Sequence, residues 1–282
     1  MLETIRTPEG LFTAECAGKT EAPLVLLLHG YPQTRHSWRE QLPALGAAGY
    51  RAVAPDQRGY SPGVRPDPSR LAAYGIDRLV ADVLDVAAAS GHGTRPFHLV
   101  GHDWGGQVAW ITAFRHPERL ASLTVLSRPH SAAFRRAFRE NVDNQQYRSR
   151  HHKAFHDPAT ASRLLEDGGR RLRRQLRESH VPEAAVEEYL SVLLGDPKAL
   201  EAALAWYRAA GALANMEIGV VTVPTLYIWG EDDHSVGRGA AEGTAQYVTG
   251  PYRFEAIAGI GHFVTDQIPA AVTRLLLSHL SR

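Results

Sequence analysis

The 282-residue chain has one cysteine, Cys16, so no internal disulfide can form and no cysteine-based metal site can be assembled. Lysine is almost missing. Lys19, Lys153 and Lys198 stand among 31 basic residues, the rest being arginine, a skew that reads as compositional bias of the coding genome. Excess charge is missing too: a net charge of +1 leaves no electrostatic footprint for nucleic acid or an anionic membrane. No apolar run approaches the roughly 20 residues that span a bilayer. Glu3, Arg6 and Glu9 fall within the first ten residues, so no secretory signal is visible and a cytoplasmic protein is expected. Neither repeats nor low-complexity segments are found. What remains is ordinary for one large globular α/β unit, 44% hydrophobic and 22% charged.

The most informative stretch is Gly101-His102-Asp103-Trp104-Gly105-Gly106. It follows the apolar run Phe97-His98-Leu99-Val100 and precedes Gln107 to Ile111, so it reads as strand, sharp turn and helix. Glycines two before and two and three after Asp103 suit a turn so tight that only glycine fits beside the lifted side chain. The helix that follows supplies free N–H groups and partial positive charge beneath an exposed anion. A carboxylate is a poor nucleophile toward an ester carbonyl, but it can displace a leaving group at saturated carbon and so form an enzyme ester.

Other segments place this turn in a frame. Pro23 to Leu28 is continuously apolar, as a strand covered on both faces would be, and runs into His29-Gly30-Tyr31-Pro32. Arg51 to Pro55 is a second strand, ending in Asp56-Gln57-Arg58-Gly59-Tyr60. Ile76, Leu79, Val80, Val83, Leu84 and Val86 mark a helix between Tyr74 and Ala89. This alternation predicts a mostly parallel sheet flanked by helices. The three motifs, in this order, resemble the α/β-hydrolase superfamily and, within it, the epoxide hydrolase and haloalkane dehalogenase branch. The resemblance runs from about Leu11 to the C-terminus and is weakest in the middle.

After the strand Leu120 to Leu126, helical spacing replaces alternation. The expected division is a core over 1–127, a helical cap over 128–215 and a second core part over 216–282. Alternation resumes with Val223 to Gly230, a short strand around Phe254 to Ile257, and an amphipathic closing helix from Ile268 to Leu280. The family's chain order of nucleophile, acid and histidine falls on Asp103, Asp233 and His262. Trp229-Gly230-Glu231-Asp232-Asp233 resembles the W-G-x-x-D pattern, which selects Asp233 over Asp232.

The resemblance implies the chemistry of these positions. Asp103 attacks, and His262, oriented by Asp233, activates the water that hydrolyses the ester; the backbone N–H groups of Tyr31 and Trp104 receive the oxyanion. His29 and His102 are expected to shape turns. An epoxide leaves as an alkoxide and needs a proton donor from the cap. Trp206-Tyr207-Arg208 resembles the motif that carries one such donor, Tyr207. In Ser149 to Phe155 the family's second tyrosine is replaced by His151, like a minority branch with a His and Tyr pair, and Tyr147, one helical turn earlier, is the alternative. The function expected is that of an epoxide hydrolase acting on a small molecule without metal or cofactor. A haloalkane-type dehalogenase and a non-catalytic ligand-binding protein are the alternatives. The arginines between Arg163 and Arg177 are read as a solvated helix face.

Overall fold

The computed structural model describes residues 1–211 and 216–281. Eight strands make one sheet in the order β1-β2-β4-β3-β5-β6-β7-β8. β3 (Leu24–Leu28) and β4 (Arg51–Pro55) are buried along their whole length. They pair in parallel, and β3 pairs in parallel with β5 (Phe97–His102). β6 (Leu120–Leu126), β7 (Thr225–Gly230) and β8 (Tyr252–Ile257) continue the parallel series. The sequence reading starts its first strand at Pro23. The structure adds β1 (Leu2–Thr7) and β2 (Gly10–Ala17), which pair antiparallel with each other, and β2 joins β4 antiparallel. In β2 only Phe12, Ala14 and Cys16 turn inward, so its signal is alternation rather than an apolar run.

Between β6 and β7 the chain forms the helices α4 (Ser131–Glu140), α5 (Gln145–Arg148), α6 (Arg150–Phe155), α7 (Thr160–Glu178), α8 (Glu183–Leu194) and α9 (Pro197–Ala209), and residues 216–224 return to β7 without helix. Phe134 and Ala137 of α4 pack into the core beneath the sheet, whereas Leu172, Leu176, Leu190, Leu193, Leu200 and Leu204 form a second apolar cluster. Each of these leucines contributes roughly 1.5–3 kcal/mol before conformational entropy. The second cluster takes in Tyr31, Tyr60 and Phe263 from the loops of the sheet, so the helical layer sits on the strands' carboxyl ends. The expected layer boundary at 215 lies outside the described residues. No helix among the described residues is long and apolar enough to cross a membrane.

The surface arginines of α7 are largely neutralised by partners. Arg163 pairs with Asp157, Arg170 with Asp167, Arg173 with Glu187, Arg174 with Glu178 and Arg177 with Glu183. Exposed pairs of this kind contribute about 0–1 kcal/mol each.

Candidate active site

Asp103 lies between β5 and α3 (Trp104–Arg115) with φ 50 and ψ −115, a strained backbone for a residue with a side chain. The turn tolerates this because its neighbours lack side chains. A Cβ on Gly30 would stand 2.5 Å from Asp103 Oδ1, and one on Gly105 would stand 2.6 Å from the His29 carbonyl oxygen. Asp103 Oδ1 accepts a hydrogen bond from the Tyr31 N–H at 3.0 Å. Trp104 opens α3, where the first N–H groups have no helical acceptor. Both backbone donors expected around the nucleophile therefore stand beside it.

The other two residues of the expected triad meet it. His262 Nε2 is 3.5 Å from Asp103 Oδ2, and His262 Nδ1 is 2.8 Å from Asp233 Oδ2. Asp233 is fully buried, and its other oxygen accepts the N–H groups of Ser235 at 2.7 Å and Val236 at 3.1 Å. Burial, the strongest single influence on His262, opposes its charge. Asp233 and Asp103 together outweigh burial and raise the His262 pKa from 6.5 to about 10. Burial likewise opposes the Asp103 anion, yet His262 and the Tyr31 N–H hold it far below the usual carboxylate range. The resting site is thus an imidazolium between two carboxylates.

Several contacts around the triad escape motif reading. The backbone carbonyl of His262 accepts from Ser127 Oγ at 2.7 Å and lies 2.8 Å from His102 Nε2. A carbonyl can only accept, so His102 carries its proton on Nε2. His29, the other motif histidine, accepts the Gln57 N–H. Ser127 has φ 61, the left-handed strain that a non-glycine residue adopts at few places. Gln267 accepts the Gly261 N–H at 2.8 Å and donates to the Ser179 carbonyl at 2.7 Å, tying the base's loop to the helical layer. Arg148 donates to the Asp233 carbonyl at 2.6 Å, tying the acid's loop to α5.

A cavity of about 930 Å³ opens over Asp103 and His262, with Tyr31, Phe155, Tyr207 and His151 on its wall. Tyr207 packs edge-on against Tyr31, Trp104 and Phe155. Burial first, then the Asp103 charge, raises its pKa well above 10, so its phenol stays protonated. The ring of His151 lies 6.3 Å from that of Tyr207, and its Nδ1 is 3.2 Å from the Arg148 carbonyl oxygen. Tyr147 does not join them. It is 58% exposed, absent from the cavity wall, and covered by the Arg150 guanidinium 3.8 Å from its ring centre. The expectation that Tyr147 and His151 share a helix face assumes one unbroken helix, whereas α5 ends at Arg148 and α6 begins at Arg150.

Comparison with known proteins agrees with this geometry. The family model described as alpha/beta hydrolase fold matches residues 23–267. Epoxide hydrolase A of Mycobacterium tuberculosis is 32% identical over 94% of this chain and 92% of its own. Epoxide hydrolase 4 of Mus musculus is 31% identical over 94% of this chain and 74% of its own. The crystal structure of the Bacillus megaterium epoxide hydrolase with an inhibitor superposes with a TM-score of 0.88 at 26% identity, covering 99% of this chain and 100% of that one. A matching family model over most of the length, joined to epoxide hydrolase relatives at 31% and 32% identity over 94% of the chain, shows that the chain belongs to the α/β-hydrolase superfamily, on its epoxide hydrolase branch.

Proposed function

We propose that the protein hydrolyses epoxides to vicinal diols through an ester on Asp103. The observation that carries this reading is a carboxylate, not a hydroxyl, on the strained turn, 3.5 Å from a histidine whose far nitrogen meets a buried aspartate. Asp103 attacks a ring carbon; the carbon–oxygen bond breaks, and the departing oxygen takes the Tyr207 proton. Ester formation removes the Asp103 charge, one of the two anions that hold the proton on His262. Burial then favours the neutral imidazole, and its Nε2 proton returns to Tyr207.

Neutral His262 keeps its Nδ1 proton on Asp233 and presents a bare Nε2 to water. It deprotonates that water as the oxygen attacks the ester carbonyl, and the N–H groups of Tyr31 and Trp104 receive the oxyanion. Collapse releases the diol and restores the imidazolium and the two carboxylates. Epoxide and water are consumed, one diol is formed, and no proton is left over. The helices that gather in the second apolar cluster act as the cap, and α9 supplies Tyr207 from it. Dehalogenation is less well served, because Tyr31 offers no side-chain N–H for a halide and the Trp104 indole packs edge-on against the Tyr207 ring at 5.2 Å.

A single turnover in ¹⁸O-labelled water tests this route. The first diol carries an unlabelled oxygen taken from Asp103, and the label enters the Asp103 carboxyl. Label in the first diol instead would mean direct attack by water and would remove the ester.

A further inference from the structure

His151 occupies the place of a proton donor but presents an acceptor. Its Nδ1 faces the Arg148 carbonyl at 3.2 Å with a geometry that suits an N–H, and a carbonyl can only accept. The proton of the neutral ring therefore sits on Nδ1. The carbonyl is well fixed, since the Arg148 guanidinium is itself anchored on the backbone carbonyls of Asp233 at 2.6 Å and Asp143 at 3.0 Å. The other nitrogen, Nε2, has no partner among the described residues, and the ring lines the cavity. Protonating it would add a cation within reach of the Arg128 and His262 charges. Burial first, then those two charges against the pull of Asp103, bring the pKa of His151 down to about 4.

The cavity wall near the nucleophile thus offers one O–H, from Tyr207, and one bare nitrogen, from His151. The geometry points to a substrate matched to that pair: an epoxide with a hydroxyl group on the carbon next to the ring, whose O–H donates to His151 Nε2 while Tyr207 protonates the ring oxygen. Hydrolysis of such a compound yields a triol. This specificity rests on the epoxide hydrolase reading and adds a substrate class to it. A polar group placed to pair with a substrate hydroxyl discriminates against the analogue that lacks it, because the unmatched group is left buried without a partner.

The test compares glycidol with propylene oxide, and a longer 2,3-epoxy alcohol with its methyl ether, by kcat/KM in the wild type, His151→Phe and His151→Tyr. The wild type should favour the hydroxyl-bearing member of each pair by at least about 10-fold, the scale of one buried hydrogen bond. In His151→Phe the hydroxyl-bearing member should lose about 10-fold more than its partner. In His151→Tyr, where a hydroxyl that both donates and accepts replaces the acceptor-only nitrogen, the preference should shrink. Equal wild-type values within each pair would overturn the proposal, as would equal losses for both members in His151→Phe, the mark of a general ring-opening acid. Turnover of all four compounds without preference would leave the epoxide reading standing and remove only the specificity. Absence of both turnover and ester on any epoxide would remove the reading beneath it.

Discussion

Replacing Asp233 with asparagine should separate the two chemical steps. The side chain has a defined polarity in its socket: one oxygen takes the N–H groups of Ser235 and Val236, and the other takes His262 Nδ1 at 2.8 Å. An asparagine must present its carbonyl oxygen to the two N–H groups, which leaves its NH₂ facing Nδ1. The imidazole can then keep only the tautomer with its proton on Nε2, toward Asp103. A base with a proton already in place cannot take one from water. The corresponding Asp→Asn change in a Ser-His-Asp triad lowers turnover about 10⁴-fold through the same tautomer error. Ester hydrolysis should therefore fall by about 10³–10⁴, roughly 4–5 kcal/mol of barrier. Attack by Asp103 needs no base and should survive. Rapid quenching followed by intact-protein mass measurement should show Asp233→Asn filling with ester within one turnover and then stalling. Normal steady-state turnover without accumulated ester would refute the orienting role.

Tyr207→Phe should slow ester formation about 100-fold, the low end of general-acid effects, while hydrolysis of preformed ester is little changed; single-turnover kinetics separate the two rates. The Asp103–His262 pair also predicts a pH signature in stability. The raised His262 pKa gives stabilisation that is complete below pH 6.5 and is lost as pH climbs through about 10. The depressed Asp103 pKa gives stabilisation that is complete above its ordinary value of 3.8 and is lost on further acidification. The wild type should therefore exceed Asp103→Asn by most between about pH 4 and 6.5, with the gap narrowing toward pH 10. Urea unfolding across that range measures it, and a gap that stays constant from pH 6.5 to 10 would contradict the ion pair. Asp266, whose side chain is fully buried, takes hydrogen bonds from Arg39, Gln33 and the α8 residue Tyr189. Asp266→Ala leaves the buried Tyr189 and Gln33 donors without their acceptor and Arg39 with only the exposed Glu40 carboxylate, and should cost about 3 kcal/mol, on the order of 10 °C in Tm by calorimetry.

Much of the site is legible in the sequence because each reacting residue lies in the turn or loop after a parallel strand and sits in a short motif. Asp103 follows β5 and Asp233 follows β7, each an apolar run ending at a glycine turn, whereas β8 is only half-buried and His262 is marked by its Gly259-Ile260-Gly261-His262 loop. The supporting contacts leave no such mark. Ser127 and His102 act on a backbone carbonyl, as Arg148 does on another, and any residue can provide a carbonyl. The left-handed φ of Ser127 is invisible in a sequence that shows only a serine after a strand. β1 and β2 are half-exposed and alternate, a weaker pattern than the buried run of β3. The tautomer of His151 is set by a carbonyl three residues earlier, a consequence of how α5 meets α6 that helical periodicity cannot convey.

The most direct test of the account is intact-protein mass spectrometry of His262→Gln after exposure to a panel of epoxides. Ester formation does not need the base and its hydrolysis does, so the variant should gain the whole mass of one epoxide, and peptide mapping should place it on Asp103. An adduct mapped elsewhere, or unmodified protein from epoxides that the wild type converts to diols, would contradict nucleophilic attack by Asp103.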